Sequence, residues 1–254
     1  MKDSQPKAIY LKDYQAPDYW IDHTDLTFDL FEDHTIVTST LTIHRNIDEK
    51  FDDKSVSSHQ LPELVLVGDD LELISVELDG APFSDFTVEG GYLVVKAPVD
   101  HFLLKTVCRI KPQDNTSLEG LYKSNGMFCT QCEAEGFRKI TYYLDRPDVM
   151  SRFTTKIVAD KSAYPVLLSN GNEIDRGELG NGRHWVTWED PFKKPSYLFA
   201  LVAGDLQHVE DHFTTMSGRE VTLRIFTEAH NIDQCDHAMI SLKKSMKWDE
   251  EVYG

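Results

Sequence analysis

Asp25-Leu26-Thr27-Phe28-Asp29-Leu30, followed by Val37-Thr38-Ser39-Thr40-Leu41-Thr42-Ile43, sets the fold class. In the first run Leu26, Phe28 and Leu30 alternate with Asp25, Thr27 and Asp29; in the second Val37, Leu41 and Ile43 alternate with Thr38, Thr40 and Thr42. Side chains on an extended chain point to opposite faces in turn, so a period of two marks a half-buried strand, and two such runs in succession predict a hairpin. Similar runs predict strands over Leu64 to Val67, Leu71 to Leu78, Tyr92 to Lys96, Phe102 to Ile110, Phe153 to Ala159, His184 to Trp188 and Tyr197 to Val202. Asp79-Gly80, Gly90-Gly91, Ser169-Asn170-Gly171-Asn172 and Gly180-Asn181-Gly182 supply the turns between them. Many short strands at this spacing, with almost no helical periodicity before residue 230, indicate an all-β sandwich or a bent stack of sheets.

Two segments depart from that pattern. Asn46 to His59 is polar, charged and serine-containing, and reads as a solvated loop or insertion. After Asp205, Phe213 to Phe226 reads as a hairpin turning at Ser217-Gly218; then Cys235, Met239, Leu242 and Met246 recur at helical spacing, with Asp233 as the expected N-cap. The chain ends at Gly254, so the apolar stripe of this helix is expected to find its neighbours in further sequence, as in a fragment cut at a domain boundary.

A chain of 254 residues holds one large domain or one and a half, and 41% hydrophobic with 27% charged residues describes a globular core. With 43 acidic against 26 basic residues the formal charge is −17. That balance argues against nucleic acid or an anionic membrane as partner, since both need clustered positive charge, and accommodates a cationic ligand. No run nears the roughly 18 consecutive apolar residues of a membrane span. Met1-Lys2-Asp3-Ser4-Gln5-Pro6 lacks the apolar core of a signal peptide, and four cysteines at 108, 129, 132 and 235 are sparse, so a cytoplasmic setting is expected.

A helical zinc motif of the form H-E-x-x-H is absent. His208-Val209-Glu210-Asp211-His212 comes nearest, but it reads as strand, on which the two imidazoles stand about 13 Å apart, too far for one metal. Cys129-Thr130-Gln131-Cys132 is a C-x-x-C without a second pair, better read as buried thiols than as a redox or zinc site. The most informative stretch is Thr130-Gln131-Cys132-Glu133-Ala134-Glu135-Gly136. If it is extended, Gln131, Glu133 and Glu135 share one face and Cys132, Ala134 and Gly136 the other. Two carboxylates and an amide together suit an ammonium-bearing ligand through charge-assisted hydrogen bonds; the plainer reading is a solvated acidic edge.

Several motifs in order carry a resemblance. Gly120-Leu121-Tyr122, Cys129 to Arg138, Thr141-Tyr-Tyr-Leu-Asp-Arg-Pro-Asp-Val149, Arg152 to Lys156, Leu168-Ser-Asn-Gly171, Tyr197 to Asp205 and Ser245 to Glu250 resemble the N-terminal part of the bacterial aminopeptidase N family. These are gluzincin zinc metallopeptidases of the membrane alanyl aminopeptidase type. The resemblance covers almost the whole chain, Asn46 to Leu61 being the clearest departure, apparently an insertion.

The resemblance implies a mainly β fold: a saddle-like multi-sheet β-sandwich domain over residues 1–205, then the first hairpin and helix of a thermolysin-like catalytic domain over 206–254. It implies hydrolysis of the N-terminal residue, alanyl or of broad specificity, from peptides with a free N-terminus. The zinc, its H-E-x-x-H helix and the G-A-M-E-N strand would belong to remaining domains of the same polypeptide, so that this piece binds no zinc and is inactive alone. Within it, Glu133 matches the glutamate that holds the substrate α-ammonium, Gln131 the glutamine lining that subsite, and Glu135 a neighbour that either joins the subsite or supports it. A stand-alone β-sandwich module binding cationic or free-amine ligands without catalysis is the alternative.

Overall fold

Alternation of apolar and polar residues commits the chain to strands, and the computed structural model, which describes residues 10–47, 61–96 and 99–254, shows seventeen of them and one α-helix. They are β1 Tyr19–Leu30, β2 Thr35–Arg45, β3 Leu64–Val67, β4 Glu72–Leu78, β5 Ala81–Pro82, β6 Phe86–Glu89, β7 Tyr92–Val95, β8 His101–Ile110 and β9 Gly120–Ser124. The second half adds β10 Met127–Gln131, β11 Met150–Asp160, β12 Val166–Ser169, β13 Asn172–Glu178, β14 Arg183–Pro195, β15 Leu201–Gly204, β16 Gln207–Thr214, β17 Glu220–Thr227 and helix α1 Asp236–Tyr253. Most of the expected insertion after Asn46, and the first nine residues, lie outside the described residues.

The β1–β2 hairpin forms as its alternation requires: Leu26, Phe28 and Leu30 are buried, as are Val37, Leu41 and Ile43 on the facing strand. A register shift between Ile21 and His23 changes the parity of β1, so that Tyr19 and Ile21 also turn inward. One inserted residue is what keeps both halves of a long strand facing one core. The large sheet has eight strands in the order β13-β14-β11-β1-β2-β8-β4-β5, with β1 and β11 parallel.

Two smaller sheets, β12-β15-β10-β9 and β3-β7-β6, share a single hydrophobic core with the large one. Phe28, Leu41 and Leu104 of the large sheet are buried with Leu66 and Leu93 of the three-stranded sheet and Phe128 and Leu201 of the four-stranded sheet. Strand β3 also meets the segment after the site, Val67 and Tyr143 exchanging backbone hydrogen bonds of 2.9 and 3.0 Å.

The hairpin β16–β17 forms a separate two-stranded sheet and starts at Gln207, earlier than Phe213. Lys243 of α1 pairs with Asp211, and the Met216 backbone N–H donates to Glu250 at 3.0 Å, tying helix to hairpin. Asp233 does not cap this helix. It lies in the 3-10 segment Ala229–Gln234, and α1 begins after Cys235, which makes no side-chain cap bond.

Tyr197 to Val202 is not one strand either. Ser196–Leu198 forms a 3-10 turn after Pro195, and β15 starts at Leu201. The reason is tertiary: the Ser196 hydroxyl is drawn to the buried Asp145 carboxylate at 2.6 Å, while Phe199 enters the aromatic core against Phe28, 5.8 Å between ring centroids.

Candidate functional site

Strand β10 runs between β15 and β9 and delivers Gln131 to the rim of the four-stranded sheet, opposite Gly120. There the extended reading of Thr130 to Gly136 fails. The Gly136 N–H returns to the Cys132 carbonyl at 2.8 Å and closes a turn, after which Phe137–Lys139 forms a 3-10 segment. Cys132 and Gly136 are consequently buried, while Glu133, Ala134 and Glu135 all face solvent. Alternation across two faces is replaced by an exposed tip standing on two buried feet. The Glu133–Ala134 peptide is cis.

Close packing holds the feet. A Cβ on Gly136 would fall 2.6 Å from the Gln131 carbonyl oxygen and 2.9 Å from the Gly120 nitrogen, so only glycine lets the two backbones approach. Phe137 is fully buried, with its ring edge-on to Tyr143 at 4.8 Å and to Phe199 at 5.3 Å between centroids, geometries that aromatic quadrupoles favour.

The charges of the turn separate by partner. Glu135 pairs with Arg138 at 3.3 Å, and Lys139 pairs with Asp69 at 2.6 Å. Arg138 also holds Asp145, whose carboxylate is buried. Gln131 Nε2 donates to the Glu133 carbonyl at 3.3 Å, which ties the Gln131 side chain to the turn backbone, and among the described residues the Gln131 side-chain oxygen has no hydrogen-bond donor. Among the described residues the Glu133 carboxylate has neither an ion pair nor a hydrogen-bond donor. An exposed, unpartnered carboxylate beside an amide carbonyl is equipped to accept hydrogen bonds from a primary ammonium. Sequence reasoning named Gln131, Glu133 and Glu135, which the fold places together at the exposed turn, and did not name Arg138, Asp145 or Ser196 behind them. The one available signal was an aspartate, Asp145, set within the apolar and aromatic run Thr141-Tyr142-Tyr143-Leu144.

The other candidates resolve into structure. Burial pushes the Cys132 thiol up to about 12, with the Asp145 charge adding to it; burial also raises the half-buried Cys129, and all four cysteines are free. His208, Glu210 and His212 do lie on strand β16, where Glu210 pairs with Arg224 at 2.6 Å and His208 packs on the Phe226 ring. Among the described residues no three His, Cys, Asp or Glu side chains gather to hold a metal, so the residues present do not fit a zinc ion. No helix among them is long and apolar enough to cross a membrane.

Known proteins are similar to this chain over most of its length. The family profile described as the Peptidase M1 N-terminal domain covers residues 21–198. Aminopeptidase N of Escherichia coli (strain K12) is 54% identical over 250 residues, which are 98% of this chain and 28% of that protein. Aminopeptidase A of Legionella pneumophila, crystallised in complex with aspartic acid, superimposes with a TM-score of 0.85 at 35% identity, over 96% of this chain and 28% of that one. An M1 zinc metallopeptidase from Deinococcus radiodurans shares the fold, with a TM-score of 0.68 at 18% identity, over 84% of this chain and 48% of the other. The chain spans about 28% of the length of the first two relatives.

Proposed function

The chain belongs to the Peptidase M1 N-terminal domain family, and from that premise we propose that it is the substrate-anchoring and structural part of a zinc aminopeptidase. Such an enzyme removes the N-terminal residue, alanyl or of broad specificity, from peptides with a free N-terminus. Residues 1–205 would be its β-domain and 206–254 the opening of its catalytic domain. The separate hairpin sheet after Asp205 and a family match ending at residue 198 support that division. The zinc ligands would lie in remaining domains of the same polypeptide, and no chemical step at the metal is assigned to this chain. Its contribution is to hold the substrate amine.

The observation that carries this reading is the Glu133 carboxylate, exposed and unpartnered among the described residues while Glu135 and Lys139 beside it are paired. Glu133 would accept the α-ammonium and Gln131 would orient it from the neighbouring strand end, with Glu135 close behind. A fixed carboxylate measures the distance from the amine to the first peptide bond, which is what an exopeptidase must measure. Four free thiols support a reducing, cytoplasmic setting, and the charge of −17 supports a cationic ligand over a polyanion.

Glu133→Gln in the full-length polypeptide tests the proposal on an alanyl chromogenic substrate. A charge-assisted hydrogen bond contributes about 1.5–3 kcal/mol, and 1.4 kcal/mol is tenfold, so KM should rise and kcat/KM fall at least about tenfold. Unchanged kinetics would remove Glu133 from the site.

A further inference from the structure

An exposed group that must meet a small ligand in one geometry needs its support in the core, because a solvent-facing turn has few contacts of its own to fix it. For the Glu133 turn that support is a line of polar contacts running inward. Glu135 Oε2 lies 3.3 Å from Arg138 Nη1. Arg138 Nε and its backbone N–H both donate to Asp145 Oδ2, at 3.0 and 3.1 Å, and Arg138 Nη2 donates to the Asp145 carbonyl oxygen at 3.2 Å. The Ser196 hydroxyl donates to the remaining oxygen, Asp145 Oδ1, at 2.6 Å. Side-chain exposure falls along this line from 67% at Glu135 through 23% at Arg138 to 1% at Asp145.

Both flanks of the Arg138 backbone are braced as well. Its carbonyl accepts from the Asp69 N–H at 2.9 Å, and Phe137 before it is locked among aromatic rings. The guanidinium therefore has a fixed inner end, and its outer end grips the residue two places beyond Glu133. On the other side of the tip Gln131 Nε2 holds the Glu133 carbonyl. The planar fork spreads its donors over a buried carboxylate, a carbonyl and a surface carboxylate, a span that the point charge of an ammonium does not reproduce.

Resting on the reading of Glu133 as the amine anchor, we propose that Arg138 is a positioning residue. Backed by Asp145 and Ser196, it holds through Glu135 the turn backbone from which the Glu133 carboxylate projects, and Glu135 is a strut, not a second ammonium ligand. The chain of contacts ends at Glu135 and acts on the substrate only by placing the backbone that carries Glu133.

The test is a set of double-mutant cycles in the full-length polypeptide, with kcat and KM measured on an alanyl arylamide and thermal unfolding followed alongside. Arg138→Lys and Glu135→Gln are each made alone and together with Glu133→Gln. With Glu133 present, each should raise KM about three- to tenfold and change kcat less than about twofold; with Gln at 133, neither should move KM more than about 1.5-fold, because residues acting as one unit are not additive. Equal effects in both backgrounds, or an unchanged KM for both variants, would overturn the proposal and leave the anchor reading standing. An unchanged KM for Glu133→Gln alone would overturn the anchor reading and this proposal with it. Glu135→Gln alters an exposed carboxylate and keeps the comparison decisive if Arg138→Lys does not fold.

Discussion

Gly136→Ala probes the turn at the point where its backbone is tightest. Gly136 has φ −85° and ψ −14°, a conformation alanine adopts freely, so the substitution carries no dihedral strain and its whole cost is contact. The new methyl would sit 2.6 Å from the Gln131 carbonyl oxygen, 2.9 Å from the Gly120 nitrogen and 3.1 Å from Cys132 Cα, all backbone atoms that no rotamer change can move. Carbon and oxygen rest no closer than about 3.3 Å, so the rim of β10 and the turn must part by roughly 0.7 Å. Overpacking of that kind costs about 1–3 kcal/mol, and the lower entropy of an unfolded alanine returns about 0.4–1 kcal/mol. The net loss is about 1–2 kcal/mol, or a fall in Tm of about 2–8 °C for a chain of this size. Gly180→Ala is the matched control: its Cβ meets nothing within 4 Å, so it should be neutral or stabilise by up to about 1 kcal/mol. Urea and thermal unfolding followed by circular dichroism decide the matter. Equal stability of the Gly136→Ala variant and the parent would refute the close approach of the Gly120 and Gly136 backbones.

Phe137→Ala removes a fully buried ring from contact with Tyr143, Phe153 and Phe199 and should cost about 3–5 kcal/mol in denaturant unfolding; a loss under about 1 kcal/mol would contradict its burial. Hydrogen bonds from Lys123 and Tyr164 hold the Glu32 carboxyl below the usual glutamate range. Its contribution is therefore complete above the unfolded value of about 4.3 and is lost as pH falls through the lower folded value. Because that carboxylate is largely solvated, Glu32→Gln should cost only about 0.5 kcal/mol at pH 7, and an equal cost after full protonation in acid would contradict the pairing. Burial pushes the Cys108 and Cys132 thiols up to about 12, so neither should react with a disulfide reagent at pH 8 until the chain unfolds; rapid labelling of either in the native protein would show that it is accessible.

Strand reading succeeded where one face of a strand meets the core and the other meets water. Leu64 to Val67 matches β3, the runs ending at Leu78 and Ile110 fall within a residue of β4 and β8, and Phe153 to Ala159 lies inside β11, which starts three residues earlier. It missed β5, β6, β9, β10, β12 and β13, which are short or, like β13, largely exposed, so their local composition carries little alternation. Their pairing comes from neighbours already in place: β10 lies between β15 and β9, and β13 lies along β14. At the site, the acidic composition of Gln131 to Glu135 was readable and its conformation was not. A strand continued past Gln131 needs the same residues as the turn that formed; what separates them is the Gly120–Gly136 approach and the burial of Phe137.

By itself the amino-acid sequence determined the β class, the β1–β2 pairing and the segment in which the candidate site lies, because each depends on a period or a motif contained within a few neighbouring residues. Tertiary structure alone decided which carboxylate of that segment is left without a partner. Arg138 reaches Asp145, seven residues on, and Asp145 is held by Ser196, fifty-one residues beyond that. These separations have no period, and a buried carboxylate takes whichever donors the packing brings to it, since leaving it unpaired costs more than bending the chain around it.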